Sequence, residues 1–358
     1  MRLSYVLRVV LTLLLAWGAA LLCVALRSPL PWMLGPLLST AVVSMLGART
    51  ESWDPLRNTG QWVIGAALGL YFTPQVTALV ASLWWAIALA IVWALALGVG
   101  FGRWLHWLHA PRMPALAPRA MRATTYFAGA IGAASEMTLL SERVGARTDL
   151  VAAAHSLRLL LVVLLIPVGL QASGLTGIDL APAGPRAVSA AGLLWLALAT
   201  GAGALLMQWL GRANPWFMGA LVVAMGFTMA GLSLSAIPGW LSNTAQLVIG
   251  VSLGVRFTAE FLHTAPRWLA SVALGTVVML ALCAGFGWLL SLGTGLHPVT
   301  LLLGTSPGGI AEMAITAKVL QLGVPVVTAF QVCRLVAVLL LVNPLWHWLD
   351  QRAVSAEN

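Results

Sequence analysis

The sequence predicts an all-α integral membrane protein made of two homologous, inverted repeats, each of about five spans plus one broken or re-entrant helix. Three observations predict it. Hydrophobic residues make up 60% of the 358-residue chain and charged residues only 8%, against about 25% charged in an ordinary globular domain. So few charges cannot cover a water-facing surface, and lipid must be the solvent for most of it. Apolar runs long enough to cross a bilayer, about 20 residues each, follow one another along the chain. Finally, several motifs of the first half recur in the same order in the second.

Taken in order, the apolar runs cover 3–26, 30–48, 60–79, 81–102, 123–142, 149–171, 187–210, 215–236, 242–258, 266–292, 298–319 and 324–347. The first follows Arg2 and could pass for a signal peptide. It is too long for one, and no small-residue cleavage site follows it. Glycines and prolines interrupt several runs, which is tolerated only where the freed backbone groups face protein or a water-filled cavity. The runs 123–142 and 298–319 are read as the broken or re-entrant ones. Cys23, Cys283 and Cys333 lie within apolar runs without the spacing of a disulfide framework or a metal site. The seventeen tryptophans suit membrane interfaces.

The recurrence is specific. Pro31-Trp32-Met33-Leu34-Gly35 returns as Pro215-Trp216-Phe217-Met218-Gly219. Asn58-Thr59-Gly60-Gln61, with Gly65 and Gly69 behind it, returns as Asn243-Thr244-Ala245-Gln246 with Gly250 and Gly254. Glu136-Met137 returns as Glu312-Met313, and Arg158-Leu159 as Arg334-Leu335. These matches divide the chain into a repeat at 1–175, a linker at 176–186, a second repeat at 187–350 and a tail at 351–358.

The net charge of +9 would point to nucleic acid in a soluble protein. Here the arginines stand at the ends of apolar runs, where basic residues set topology, so no nucleic-acid partner is expected. If 123–142 and 298–319 do not cross, each repeat crosses five times and the repeats are inverted. With a cytoplasmic N-terminus, only Arg27, Arg186 and Lys318 then lie outside, and Arg158 and Arg334 lie within the membrane. This fits a multi-pass protein of a bacterial-type inner membrane. The basic stretch from Arg103 to Arg122, with His106 and His109, is expected to be solvated. The partners implied are the lipid bilayer and a small solute, and a homodimer is a possible assembly.

A central arginine in a span is costly and marks a functional candidate. Arg158 and Arg334 are therefore the leading solute-binding candidates, with the membrane-depth carboxylates Glu136 and Glu312 as their expected partners. The run Gly304-Thr305-Ser306-Pro307-Gly308-Gly309 interrupts an apolar segment. Backbone amides at Ser306, Gly308 and Gly309, ahead of a helix, would favour an anion. Gln61 and Gln246, beside Asn58 and Asn243, are read as interhelical hydrogen-bonding groups in small-residue stretches. His155 could relay a proton, although the second half carries Gln331 there. No catalytic arrangement, nucleotide loop, cofactor site or metal-ligand cluster is seen.

Together, the duplicated Pro-Trp-x-x-Gly and Asn-Thr-x-Gln-x-x-Ile-Gly motifs and the run Ser306-Pro307-Gly308-Gly309-Ile310-Ala311-Glu312-Met313 resemble the AbrB-duplication membrane protein family over nearly the whole chain. Its members carry the labels ammonia monooxygenase or AbrB family regulator. The first label implies copper or iron ligands that this sequence does not supply, so no enzyme is expected. The second implies a regulator acting indirectly, through a solute it senses or moves. The expectation is a secondary transporter of a small anionic organic solute, through a central site between the two repeats. Glu136 or Glu312 would bind a coupling proton or balance an arginine, and one repeat's broken-helix bundle would move against the other. A membrane sensor or regulator is the alternative, and a membrane monooxygenase a remote one.

Overall fold

The computed structural model describes residues 2–174, 187–232, 234–260 and 265–357; the expected linker at 176–186 lies outside them. Among the described residues the structure is helical, without strands. In the first half the helices are α1 (Arg2–Ala25), α2 (Pro31–Met45), α3 (Asp54–Gly69), α4 (Pro74–Ser82), α5 (Trp84–His109), α6 (Pro118–Gly129), α7 (Ala134–Arg143) and α8 (Thr148–Ala172). In the second they are α9 (Ala190–Trp209), α10 (Pro215–Met229), α11 (Gly239–Gly254), α12 (Pro266–Thr294), α13 (Pro298–Thr305), α14 (Ile310–Val319) and α15 (Val324–Glu357).

Prolines open many of these helices, because the first helical residue needs no N–H partner and proline's fixed φ suits the start. Before Pro31 and Pro215 the chain makes the same sharp turn: Leu30 and Asn214 both have φ 50° and ψ 51°. This left-handed conformation is uncommon for a leucine. Gly295, with φ 69°, closes the 29-residue α12 as a left-handed cap.

Among the described residues, six helices, α1, α5, α8, α9, α12 and α15, are long and apolar enough to cross a membrane, and α3 with α4 forms a pair bent by 88°. There are thus fewer unbroken spans than apolar runs. The runs 30–48 and 215–236 become helices of 15 residues, about 22 Å long against a hydrocarbon core of about 30 Å. Each starts where its run starts and stops short of its end, at Leu46 and Ala230, just before the left-handed glycines Gly47 (φ 94°) and Gly231 (φ 75°). The runs 123–142 and 298–319 are each two short helices around a break, at 130–133 and 306–309.

The surface fits a bilayer. Only 22% and 17% of the apolar windows of α1 and α9 are buried, against 61% for α15. The first two turn leucines and valines outward, whereas α15 is an interior helix. Trp84, Trp107, Trp209 and Trp240, all near helix ends, are largely exposed, as interfacial tryptophans are.

The chain forms two compact units, each drawing on both halves of the sequence. Unit 1 comprises Met1–Ser82, Val163–Thr264 and Ala311–Thr328, and unit 2 comprises Leu83–Val162, Ala265–Ile310 and Ala329–Asn358. In unit 1, α3 packs on α10 and α11 on α2. Small residues make both contacts. A Cβ on Gly65 would lie 2.3 Å from the Phe217 carbonyl oxygen, and one on Gly250 2.6 Å from that of Met33. The Gly65/Gly69 and Gly250/Gly254 pairs, each four residues apart, form the flat stripes that let membrane helices touch backbone to backbone. Gln61 and Gln246 make no interhelical hydrogen bond among the described residues. α3 and α11 meet instead through Gly60, whose added Cβ would lie 2.9 Å from the Ala245 oxygen.

In unit 2, Gly98 and Gly102 on α5 hold α6 close, at Gly129 and Thr125. Trp93 stacks on Phe286, with ring centroids 4.5 Å apart. The Tyr126 hydroxyl on α6 donates to the Val342 carbonyl on α15 at 2.7 Å. His109 is not solvated as expected: it is 2% exposed, 3.0 Å from the Ser271 hydroxyl, and packs edge-on against Trp268. α5 continues into the basic stretch as far as His109 and carries that side chain inward. Asp350 accepts from Arg119 at 2.9 Å and from Arg122 at 3.3 Å, tying the start of α6 to the end of α15. Replacing Asp350 by asparagine removes the charge from a largely buried acceptor and is expected to cost about 1–3 kcal/mol. A lower apparent Tm in detergent would register it, with Arg119, the more exposed partner, contributing less than Arg122.

Candidate functional site

The two helix breaks in unit 2 have the same chemical problem. A helix that stops leaves its last carbonyls without intrahelical donors, and in a membrane interior no water is at hand to meet them. At the end of α6, Arg158 on α8 meets them. Its guanidinium donates to the carbonyls of Ala128 at 3.2 Å, Gly129 at 3.3 Å and Ala130 at 2.8 Å. His155, one turn earlier, lies with Nε2 2.9 Å from the Phe127 carbonyl and Nδ1 2.8 Å from an Arg158 nitrogen. A carbonyl can only accept and a guanidinium can only donate. Nε2 therefore carries the proton, Nδ1 accepts, and the ring is neutral. With both nitrogens engaged, His155 orients Arg158 and is not placed to relay a proton.

The end of α13 is built alike from different residues. Arg334 on α15 donates to the carbonyls of Ser306 and, at 2.9 Å, Gly308. Gln331 donates from its amide nitrogen to Leu303 at 2.6 Å and Ser306 at 3.2 Å. Leu303 and Ser306 stand 176 residues beyond Phe127 and Ala130, as Gln331 and Arg334 do beyond His155 and Arg158. A cation at a helix C-terminus also meets the negative end of the helix dipole. Cys283 adds a weak contact, its Sγ 3.5 Å from the Thr305 carbonyl.

The expected pairing of each arginine with a carboxylate is corrected by this geometry. Backbone carbonyls hold both guanidinium groups, and among the described residues neither forms an ion pair. The reason is the break itself, which supplies a cluster of orphan acceptors. Glu136 sits half-buried in the first turn of α7. Glu312 sits in the first turn of α14, 7% exposed. Both positions suit a carboxylate, because helix N-termini favour negative charge. At Ser306 and Gly308 it is the carbonyls that are engaged by side chains, and the Ser306 amide closes the last turn of α13 on Leu302.

Unit 2 thus brings together Arg158 with His155, and Arg334 with Gln331, Ser306 and Gly308. Arg158 lies within the electrostatic range of Arg334, and the two residues are 3% and 5% exposed. Asn58, Gln61, Asn243, Gln246 and Glu312 belong to unit 1. Asn58 there accepts from Arg57 at 3.5 Å. The carbonyls of Phe127–Ala130 and the Tyr126 hydroxyl were missed from sequence. The spacing of three residues in His155–Arg158 and Gln331–Arg334, which puts each pair on one helix face, was the available signal. Among the described residues no group of three or more His, Cys, Asp or Glu side chains could hold a metal ion.

Comparison with known proteins identifies the family. Residues 32–350 match the family described as transition state regulatory protein AbrB. A Bacillus subtilis (strain 168) protein named "Uncharacterized protein YhjN" is 25% identical over 344 residues, covering 89% of this chain and 87% of its own length. An Escherichia coli (strain K12) protein named "Putative regulator AbrB" is 27% identical over 341 residues, covering 92% of each chain. No solved structure matches. With nearly its whole length matched and its helices long and apolar enough for a bilayer, the chain belongs to the AbrB family as a helical membrane protein.

Proposed function

We propose that this chain is a secondary transporter of a small organic anion in a bacterial inner membrane, with its N-terminus in the cytoplasm. Charge carries the reading. Two guanidinium groups are buried in unit 2, and among the described residues no carboxylate pairs with either. Their hydrogen bonds are met by carbonyls, but carbonyl dipoles leave the net charge in place. Buried charge without a counter-ion is costly, and an anionic solute would supply one.

Interrupted helices at membrane depth support transport, since transporters place solutes at such breaks. Inverted repeats at 1–175 and 187–350 are part of the proposal. Supporting them are the matched turns at Leu30 and Asn214, the reciprocal Gly65–Phe217 and Gly250–Met33 contacts and the matched caps of α6 and α13. A bilayer and a solute are the proposed partners. A second reading, a membrane regulator that binds the anion without moving it, is favoured by the printed name of the Escherichia coli relative.

Uptake into liposomes holding only the purified chain tests the proposal. Labelled small carboxylates should accumulate above protein-free liposomes and compete with one another. Binding without uptake would favour the regulator, and neither binding nor uptake by folded protein would refute both readings.

A further inference from the structure

We infer that the solute is recognised at the second helix break, by Gln331 and Arg334, and that it is a 2-hydroxy-carboxylate. This rests on the anion-binding reading and sharpens it. The two breaks share a plan but are not closed equally. At the first, His155 uses both ring nitrogens, one on Phe127 and one on Arg158, so side chain and guanidinium satisfy each other. At the second, the Gln331 amide nitrogen serves Leu303 and Ser306 while its Oε1 has no partner. Arg334 serves Ser306 and Gly308 while its Nε has none. Gln331 is 0% exposed and Arg334 5%, so an acceptor and a donor are orphaned side by side where orphans are costly.

Residues three apart on a helix share a face, and the proposed solute meets both atoms. It needs an acceptor for the Arg334 Nε–H and a donor for the Gln331 Oε1, a few bonds apart. A carboxylate with a hydroxyl on the adjacent carbon provides both. A plain carboxylate meets only the first. A 2-amino-carboxylate adds an ammonium group, which the fields of Arg334 and Arg158 disfavour. The first break, already closed on itself by His155, offers no such pair.

The test uses the purified full chain in detergent and three probes of equal carbon number, 2-hydroxybutanoate, butanoate and 2-aminobutanoate, with apparent Tm as readout. The wild type should respond to 2-hydroxybutanoate at a half-maximal concentration about tenfold below that for butanoate, the worth of roughly one hydrogen bond, and least to 2-aminobutanoate. Gln331→His builds at α15 the closure that α8 already uses. It should keep the Tm without ligand and lose the preference for 2-hydroxybutanoate, whereas His155→Gln should retain that preference. Equal wild-type responses to 2-hydroxybutanoate and butanoate would overturn the assignment while leaving anion binding standing, and this comparison needs no variant. A preference retained in folded Gln331→His, or lost in folded His155→Gln, would also overturn it. A wild type that no carboxylate shifts would remove the underlying reading as well.

Discussion

Replacing Arg158 by alanine is expected to destabilise the protein by about 3–5 kcal/mol, the largest single effect predicted. The side chain is 3% exposed and donates to three carbonyls and to His155 Nδ1. Alanine would leave four acceptors without that donor and open a cavity the size of a guanidinium. Each buried acceptor left unmet costs about 1–3 kcal/mol, and relaxation of the break keeps the total below the sum. In a thermal melt followed by tryptophan fluorescence this is a fall in apparent Tm on the order of 10 °C. Arg158→Lys should fall between the two. An ammonium keeps the charge but lacks the planar fork that reaches several carbonyls at once. An alanine variant melting with the wild type would show that α6 does not depend on its cap.

Gly65→Ala should have the next largest effect. A single methyl group there would lie 2.3 Å from the Phe217 carbonyl oxygen and 3.1 Å from the Phe217 carbonyl carbon. Both are backbone atoms of α10, so no rotamer change can make room and the helices must separate. Overpacking of this kind costs about 1–3 kcal/mol, and the upper end applies because the small-residue stripe from Gly65 to Gly69 separates as a unit. Gly226→Ala on α10 is the control, since nothing lies within 4 Å of its added Cβ and alanine is the better helix former by about 1 kcal/mol. The pair separates steric from general effects of losing glycine. Melting temperatures for Gly65→Ala and Gly226→Ala that move together would contradict the close approach of α3 and α10.

Much of this architecture was legible because its causes are local. The glycine-rich stretch at 304–309 announced a break, and the apolar runs announced the long helices. The lengths of α2 and α10 were not legible, because hydropathy does not register the left-handed turns at Gly47 and Gly231 that follow their last residues. The composite make-up of the two units was hidden as well: the stripe on Gly65 is visible in sequence, but its partner on α10 lies about 150 residues away. For the candidate site, Arg158 and Arg334 stood out as charges in apolar surroundings, and their expected partners were the carboxylates that recur within apolar runs, Glu136 and Glu312. The actual partners are backbone carbonyls, which every residue has and which become acceptors only where a helix stops. His109 misled for a related reason, since its basic neighbours in sequence said nothing of Ser271 and Trp268 beside it.

The central claim is that the positive charge buried at Arg158 and Arg334 draws an anion. The most direct measurement is the apparent Tm of the purified wild-type chain against lactate and against lactamide, which share a hydroxyl and a carbon skeleton and differ in charge. A concentration-dependent rise with lactate and none with lactamide is the predicted result. A rise of equal size with both, or with lactamide alone, would contradict the claim that charge holds the solute.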